Sequence, residues 1–90
     1  MPASSEVVAL VRLPEGVALH ARPAGAFVRL AAQADAEIRV EANGRSANAK
    51  SILEVLALGA TGGTELALSG SGADAVEALE GLAELVFGLA

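Results

Sequence analysis

Glu37-Ile38-Arg39-Val40-Glu41-Ala42-Asn43-Gly44-Arg45-Ser46-Ala47-Asn48-Ala49 is the stretch whose reading decides the fold. From Glu37 to Ala42, polar and apolar residues alternate strictly. That is the period of a strand with one covered face, so Ile38, Val40 and Ala42 are expected against a core. Asn43-Gly44 is the strongest short hairpin signal a sequence offers, and Arg45 to Ala49 reads as the return strand.

Upstream, Glu6 to Leu13 is rich in Val and Leu without clean alternation, which reads as a strand covered on one face and flanked by neighbours. Pro14-Glu15-Gly16 halts it. A helix opens at His20-Ala21-Arg22-Pro23, where proline suits a first turn because its missing N–H would have had no partner there. It is expected to run to about Ala34, with Phe27, Leu30, Ala31 and Ala34 on one face and Arg22, Arg29 and Gln33 on another. Downstream, Ser51-Ile52-Leu53-Glu54 matches a capping box. Ser51 should accept from the Glu54 N–H while the Glu54 carboxylate reaches back, starting a short helix to about Leu58 that Gly59 ends. After a Gly62-Gly63 turn, Glu65 to Ser69 reads as a strand and Ala73 to about Phe87 as the last helix. Val76, Leu79, Ala83 and Val86 form its expected buried stripe, and Asp74, Glu77, Glu80 and Glu84 a solvated acidic face. The order βαββαβα suits a single α+β domain over residues 1–90, an antiparallel or mixed sheet with its helices on one face.

The totals narrow the function. The 90 residues, 53% apolar, make one compact core and leave little for a deep pocket. There is no cysteine, which removes disulfides, thiolate metal sites and a thiol nucleophile. Eleven acidic against six basic side chains give a net charge of −5. That charge repels a phosphate backbone, and the only aromatics, Phe27 and Phe87, are assigned to packing, so no nucleic acid is expected. Met1-Pro2-Ala3-Ser4-Ser5 has no basic residue and does not read as a secretory leader. No apolar run approaches the ~20 residues that span a bilayer. The expected location is cytoplasmic, without direct membrane insertion.

His20 is the only histidine, and it stands at the mouth of the first helix. The first turn leaves backbone N–H groups unpaired and carries about half a positive charge, a ready site for a phosphoryl anion. The same field disfavours imidazolium and so favours a neutral, nucleophilic ring. Arg22 adds a fork of donors for phosphoryl oxygens. A surface histidine that simply caps a helix is the bland alternative. A zinc or iron site lacks the further ligands it would need, and a serine hydrolase would need a third group to orient the base, while no Gly-x-Ser-x-Gly elbow appears. No metal or cofactor is expected.

Leu19-His20-Ala21-Arg22-Pro23-Ala24 resembles the active-site segment of the histidine-containing phosphocarrier (HPr) family of the bacterial phosphotransferase system. The likeness continues through Asn43-Gly44, Ala49-Lys50-Ser51-Ile52, Leu58-Gly59 and Gly63-Thr64 at the family's spacing, so it covers nearly the whole chain. The resemblance implies an open-faced β-sandwich, four antiparallel strands with three helices on one face. It implies that His20 is phosphorylated on Nδ1 by phospho-enzyme I, which is charged from phosphoenolpyruvate, that Arg22 flanks the phosphohistidine, and that enzyme IIA domains are the acceptors in sugar uptake. Such a protein is a stoichiometric carrier rather than a free-standing enzyme, and a monomer is expected. A shallow apolar docking patch would draw on Leu19, Ala21, Ala24, Ile52, Leu53 and Leu56, with Leu53 at the position the family uses for partner contact. Ser51 matches a serine that a dedicated kinase phosphorylates in some bacteria, which would add a serine kinase or phosphorylase to the partners. A phosphate there would put close to two negative charges in the docking surface, although Ser51 already has a structural role as an N-cap worth about 1 kcal/mol.

Two departures bear on the site. The family usually has Gly directly before the Leu-His pair, whereas this chain has Ala18 there and Gly16 two residues earlier. A longer or differently shaped loop is therefore expected. Glu54 stands where some relatives carry lysine, so docking should rely less on a basic rim, with Arg22, Arg29 and Lys50 as the candidate positive contacts. Two other readings remain. One is a regulatory-branch relative that acts only by docking to regulators. The other is a nucleotide-binding enzyme, prompted by Gly70-Ser71-Gly72-Ala73-Asp74-Ala75 after a strand. A turn with a Ser71 cap explains that segment better, because no second parallel strand and no ribose-binding acid follow it, and Lys50 lies in no P-loop.

Overall fold

A computed structural model of the chain describes residues 6–89. The Met1 to Ser5 segment, where the expectation about a secretory leader falls, lies outside the described residues. Along the chain run β1 (Val7–Arg12), α1 (Ala21–Ala32), β2 (Glu37–Ala42), β3 (Arg45–Asn48), α2 (Ile52–Ala57), β4 (Glu65–Ser71) and α3 (Ala75–Phe87). The strands form one sheet in the order β1-β4-β2-β3, each pair antiparallel. The three helices cover one face, which gives the α+β open-faced sandwich.

The hairpin is as expected. Asn43 and Gly44 hold φ of 56° and 75°, the two positive values a type I′ turn requires, and Ala42 pairs with Arg45, Val40 with Ala47. The strict alternation of β2 therefore sends Ile38, Val40 and Ala42 inward. There they join Leu66 and Leu68 of β4, Phe27 and Ala31 of α1, Val55 of α2 and Leu82 and Val86 of α3 in one core.

Three expectations change. β1 is an edge strand bonded to β4 alone, not a strand flanked on both sides. Its side chains alternate between half-buried and exposed, which is the one covered face expected of it. On α3 the buried stripe is Ala75, Leu79, Leu82 and Val86. Leu79 and Val86 face inward as expected, but Val76 is 54% and Phe87 79% exposed, because the helix is turned by about half a residue, so that Ala75 and Leu82 take the inward places expected of Val76 and Ala83. β4 also runs two residues beyond Ser69, so Ser71 ends a strand, and Asp74 takes the N-cap position of α3.

Candidate functional site

The loop that carries His20 is built by backbone geometry. Val17 N–H donates to Pro14 O at 3.1 Å, and Gly16 sits at φ +81°, the positive value that the third residue of a type II turn needs. Among the described residues Asn43 alone has a positive φ without being glycine. Ala18 is therefore unstrained, and the bend moves to Gly16, which answers the expectation of a differently shaped loop. Below it, Leu13 N–H donates to Thr64 O at 2.9 Å and Gly63 N–H to Leu13 O at 2.9 Å. Gly62 passes so close that a Cβ there would stand 2.6 Å from Gly16 N, leaving room for no side chain. Leu19 N–H donates to Ala60 O at 2.9 Å and its side chain is 3% exposed.

With Leu19 fixed inward, the next side chain turns to solvent. His20 is exposed and occupies the N-cap position of α1 with an extended backbone, φ −95° and ψ −165°. Its carbonyl accepts from Ala24 N–H at 2.8 Å, while its imidazole makes no capping bond. Pro23 brings no N–H, so Ala21 and Arg22 supply the first-turn donors that have no partner within the helix. Arg22 is exposed on the same turn. His20, Arg22, Val17, Pro23 and Leu89 line one shallow open depression. The chemistry of that mouth is anion reception: two amides, a guanidinium and an imidazole with nothing structural to hold.

The second site is half-buried. Ser51 Oγ accepts from Glu54 N–H at 3.3 Å, which is half of the expected capping box. The returning half is different: the Glu54 carboxylate accepts from Asn48 N–H at 2.8 Å, and Ser51 N–H donates instead to Asn48 O at 3.0 Å. The carboxylate thus ties α2 to the end of β3. At the other end of α2, Asn43 Nδ2 donates to Leu58 O at 3.1 Å and Arg45 Nη1 to Ala57 O at 2.8 Å, filling carbonyls that the helix itself leaves open.

The six residues expected to form a docking patch divide. Ala21, Ile52, Leu53 and Leu56 are exposed, Leu53 at 78%. Leu19 and Ala24 are not surface residues, at 3% and 0% exposed. Leu19 is drawn in by its bond to Ala60, and Ala24 lies on the helix face that buries Phe27 and Ala31. Of the expected positive contacts, Arg22 and Arg29 are exposed. Lys50 is half-buried, its ammonium donating to Ala34 O at 2.7 Å beyond the C-terminal end of α1, where a cation is favourable.

The glycine-rich segment is structural. Gly70 lies within β4, paired with both Val7 and Ile38 in antiparallel strands, and so is not the turn after a parallel strand. At the start of α3 the Asp74 carboxylate accepts from Asp35 N–H and Ala36 N–H, both at 2.9 Å. The bond from Asp35, helped by those from Ala36 and its own amide and by the charge of Lys50, outweighs desolvation and holds the Asp74 carboxyl below its usual range. This staple, the Lys50 contact and the place of Leu89 beside His20 were missed in the sequence, since each depends on long-range packing that no local pattern records.

Residues 7–87 match the family model described as the phosphorylation site of the HPr component of the phosphotransferase system. The chain is 46% identical over 68 residues to the phosphocarrier protein HPr of Vibrio cholerae serotype O1, covering 76% of this chain and 80% of the relative. Among solved structures it is similar to HPr of Bacillus anthracis, with a TM-score of 0.86 and 38% identity over 91% of this chain and 98% of that one. It is also similar to the catabolite repression HPr, Crh, of Bacillus subtilis, with a TM-score of 0.67 and 39% identity over 89% and 95% of the two chains.

Proposed function

This chain belongs to the HPr phosphocarrier family of the phosphotransferase system, and from that premise we propose that His20 takes a phosphoryl group on Nδ1 from phospho-enzyme I and passes it to enzyme IIA domains in sugar uptake. The observation that carries the reading is the exposed His20 imidazole, without a capping bond, at the open N-terminus of α1 beside the exposed Arg22. In the step itself the lone pair of neutral Nδ1 attacks phosphorus, the donor's P–N bond breaks, and the donor imidazole leaves with the electron pair while the Nε2 proton of His20 stays in place. Charge moves across the equatorial oxygens, and the amides of Ala21 and Arg22 with the Arg22 guanidinium meet it. No closed cavity is needed, because the partner's own phosphohistidine completes the site and catalysis is alignment across a transient interface.

Docking falls to Ala21 and to Ile52, Leu53 and Leu56 on α2, which packs beside α1. A phosphate on Ser51 would place its charge at the edge of this patch and impede docking, a role for a serine kinase that rests on the resemblance alone. The exchange is set in the cytoplasm; among the described residues no helix is long and apolar enough to cross a membrane. The likeness to Crh favours one second reading, a regulator that acts by docking alone. Incubation with enzyme I and phosphoenolpyruvate separates the two. The carrier reading expects a single acid-labile phosphoryl adduct by intact mass that His20→Ala fails to acquire. An unmodified wild type beside active enzyme I would reject it.

A further inference from the structure

The two outer strands of the sheet meet solvent differently. β3 has four residues, Arg-Ser-Ala-Asn, and is polar at every exposed position. β1 has six, Val-Val-Ala-Leu-Val-Arg, and presents Val8 at 63% and Leu10 at 62% exposure. The bonding pattern fixes which main-chain groups look outward. Leu13 N–H donates to Thr64 O on the β4 side, and main-chain groups alternate sides along a strand. Val7, Ala9 and Val11 therefore bond β4, while Val8, Leu10 and Arg12 turn their N–H and C=O groups to the outer edge. Among the described residues no strand lies there. Protein edges are normally blunted by charge, proline, a bulge or brevity, and the middle of this one has none of these.

We propose that this edge takes a second copy of the same chain, β1 against β1 in antiparallel register about a two-fold axis at Ala9, so that two four-stranded sheets become one of eight strands. The edge's own sequence identifies the occupant. In that register, on the open face of the sheet, Val8 meets Leu10 of the second copy and Glu6 meets Arg12 of the second copy, and by symmetry each pair occurs twice. Apolar residues face apolar ones and opposite charges face each other at both ends. Glu6 already takes part in an interaction within its own chain, and Arg12 gives Nη1 to Gly63 O at 2.7 Å; the carboxylate and the guanidinium each have capacity for more than one bond, so the new pairing adds to these contacts. On the helix side, β1 and α3 enclose an apolar groove lined by Ala9, Val76, Leu79 and Ala83, where the exposed Val76 would be covered. Glu80 shares that groove and keeps the association weak, so the protein exchanges between monomer and dimer as concentration rises.

Sedimentation equilibrium of the full chain from about 10 µM to ~1 mM tests this, a range in which weak edge pairing should become visible. A reversible dimer is expected, and Leu10→Lys should weaken it by about tenfold or more, since two added cations then flank the axis. Arg12→Glu should weaken it as well, and combining Arg12→Glu with Glu6→Arg should restore it. The chain has no cysteine, so Ala9→Cys gives a clean readout of register. Two such residues meet on the axis as a non-hydrogen-bonded pair, with Cα atoms about 4.5 Å apart, within disulfide reach, whereas Ser46→Cys on β3 should not cross-link. A monomer throughout the range overturns the proposal. So does a dimer indifferent to Leu10→Lys, or one in which β1 has crossed to pair with β4 of the other chain.

Discussion

The N-cap side chains of α1 and α3 are put to opposite uses. At α3 the Asp74 carboxylate is engaged, bonded to two backbone N–H groups of the segment that leads into β2. It locks one helix end to the rest of the fold. At α1 the N-cap side chain is His20, which holds nothing and faces solvent. Ser51 at the start of α2 stands between them, with its hydroxyl accepting from Glu54 N–H. A side chain committed to a structural bond cannot also receive a migrating group, so the helix end whose N-cap side chain is not bonded elsewhere is the one that can carry chemistry. On the proposed reading, this comparison accounts for how one histidine in a small domain could take a phosphoryl group without a pocket to enclose it.

The largest expected break is His20→Ala. Phosphoryl uptake from phospho-enzyme I should vanish, while the urea midpoint moves by less than about 0.5 kcal/mol equivalent, because no structural bond is lost. A large loss of stability would show that the ring caps the helix after all. Arg22→Ala comes next. The transfer rate, followed by rapid quench, should fall by about 10²-fold with stability unchanged, and Arg22→Lys should recover only part of it, since a single ammonium cannot reproduce the fork.

At the closed end, Asp74→Asn should leave uptake intact and destabilise the fold in a pH-dependent way. The folded-state carboxyl lies below its ordinary 3.8, chiefly through the bond from Asp35 N–H. Its contribution is therefore fully present above that value and is lost as pH falls through the lower folded-state value. Melting curves of wild type and variant should lie well apart at pH 7 and converge below about pH 3.8; a constant gap would deny the staple. The smallest effect is expected from Ser51→Ala, a loss of about 1 kcal/mol by chemical denaturation for the missing cap, with phosphoryl uptake by His20 preserved.

The sequence made the hairpin, the order of elements and the place of His20 legible, because each is recorded locally: alternation from Glu37 to Ala42, positive-φ residues at Asn43-Gly44, a proline in the first turn of α1. Where it failed, the cause lay in packing between distant segments. No local pattern distinguishes Val76 from Ala75 as the inward residue of α3, nor shows that Leu19 hangs from Ala60. The Ser51 half of the capping box was legible for the same local reason. The Glu54 half was not, since Asn48 competes for that carboxylate from the neighbouring strand. At the site, the place of His20 and Arg22 on the first turn of α1 could be read from sequence, but the separation of exposed Leu53 from buried Ala24 required the core to be seen.

The most direct test of the central claim is nitrogen-15 and phosphorus-31 NMR of the chain while enzyme I and phosphoenolpyruvate charge it. The account expects one phosphorus bonded to Nδ1 of His20, amide shifts concentrated at Ala21 and Arg22, and the resonances of Asp35, Ala36 and Asp74 left where they were. Phosphorus on Nε2, or shifts centred on the start of α3 with the mouth of α1 undisturbed, would contradict it.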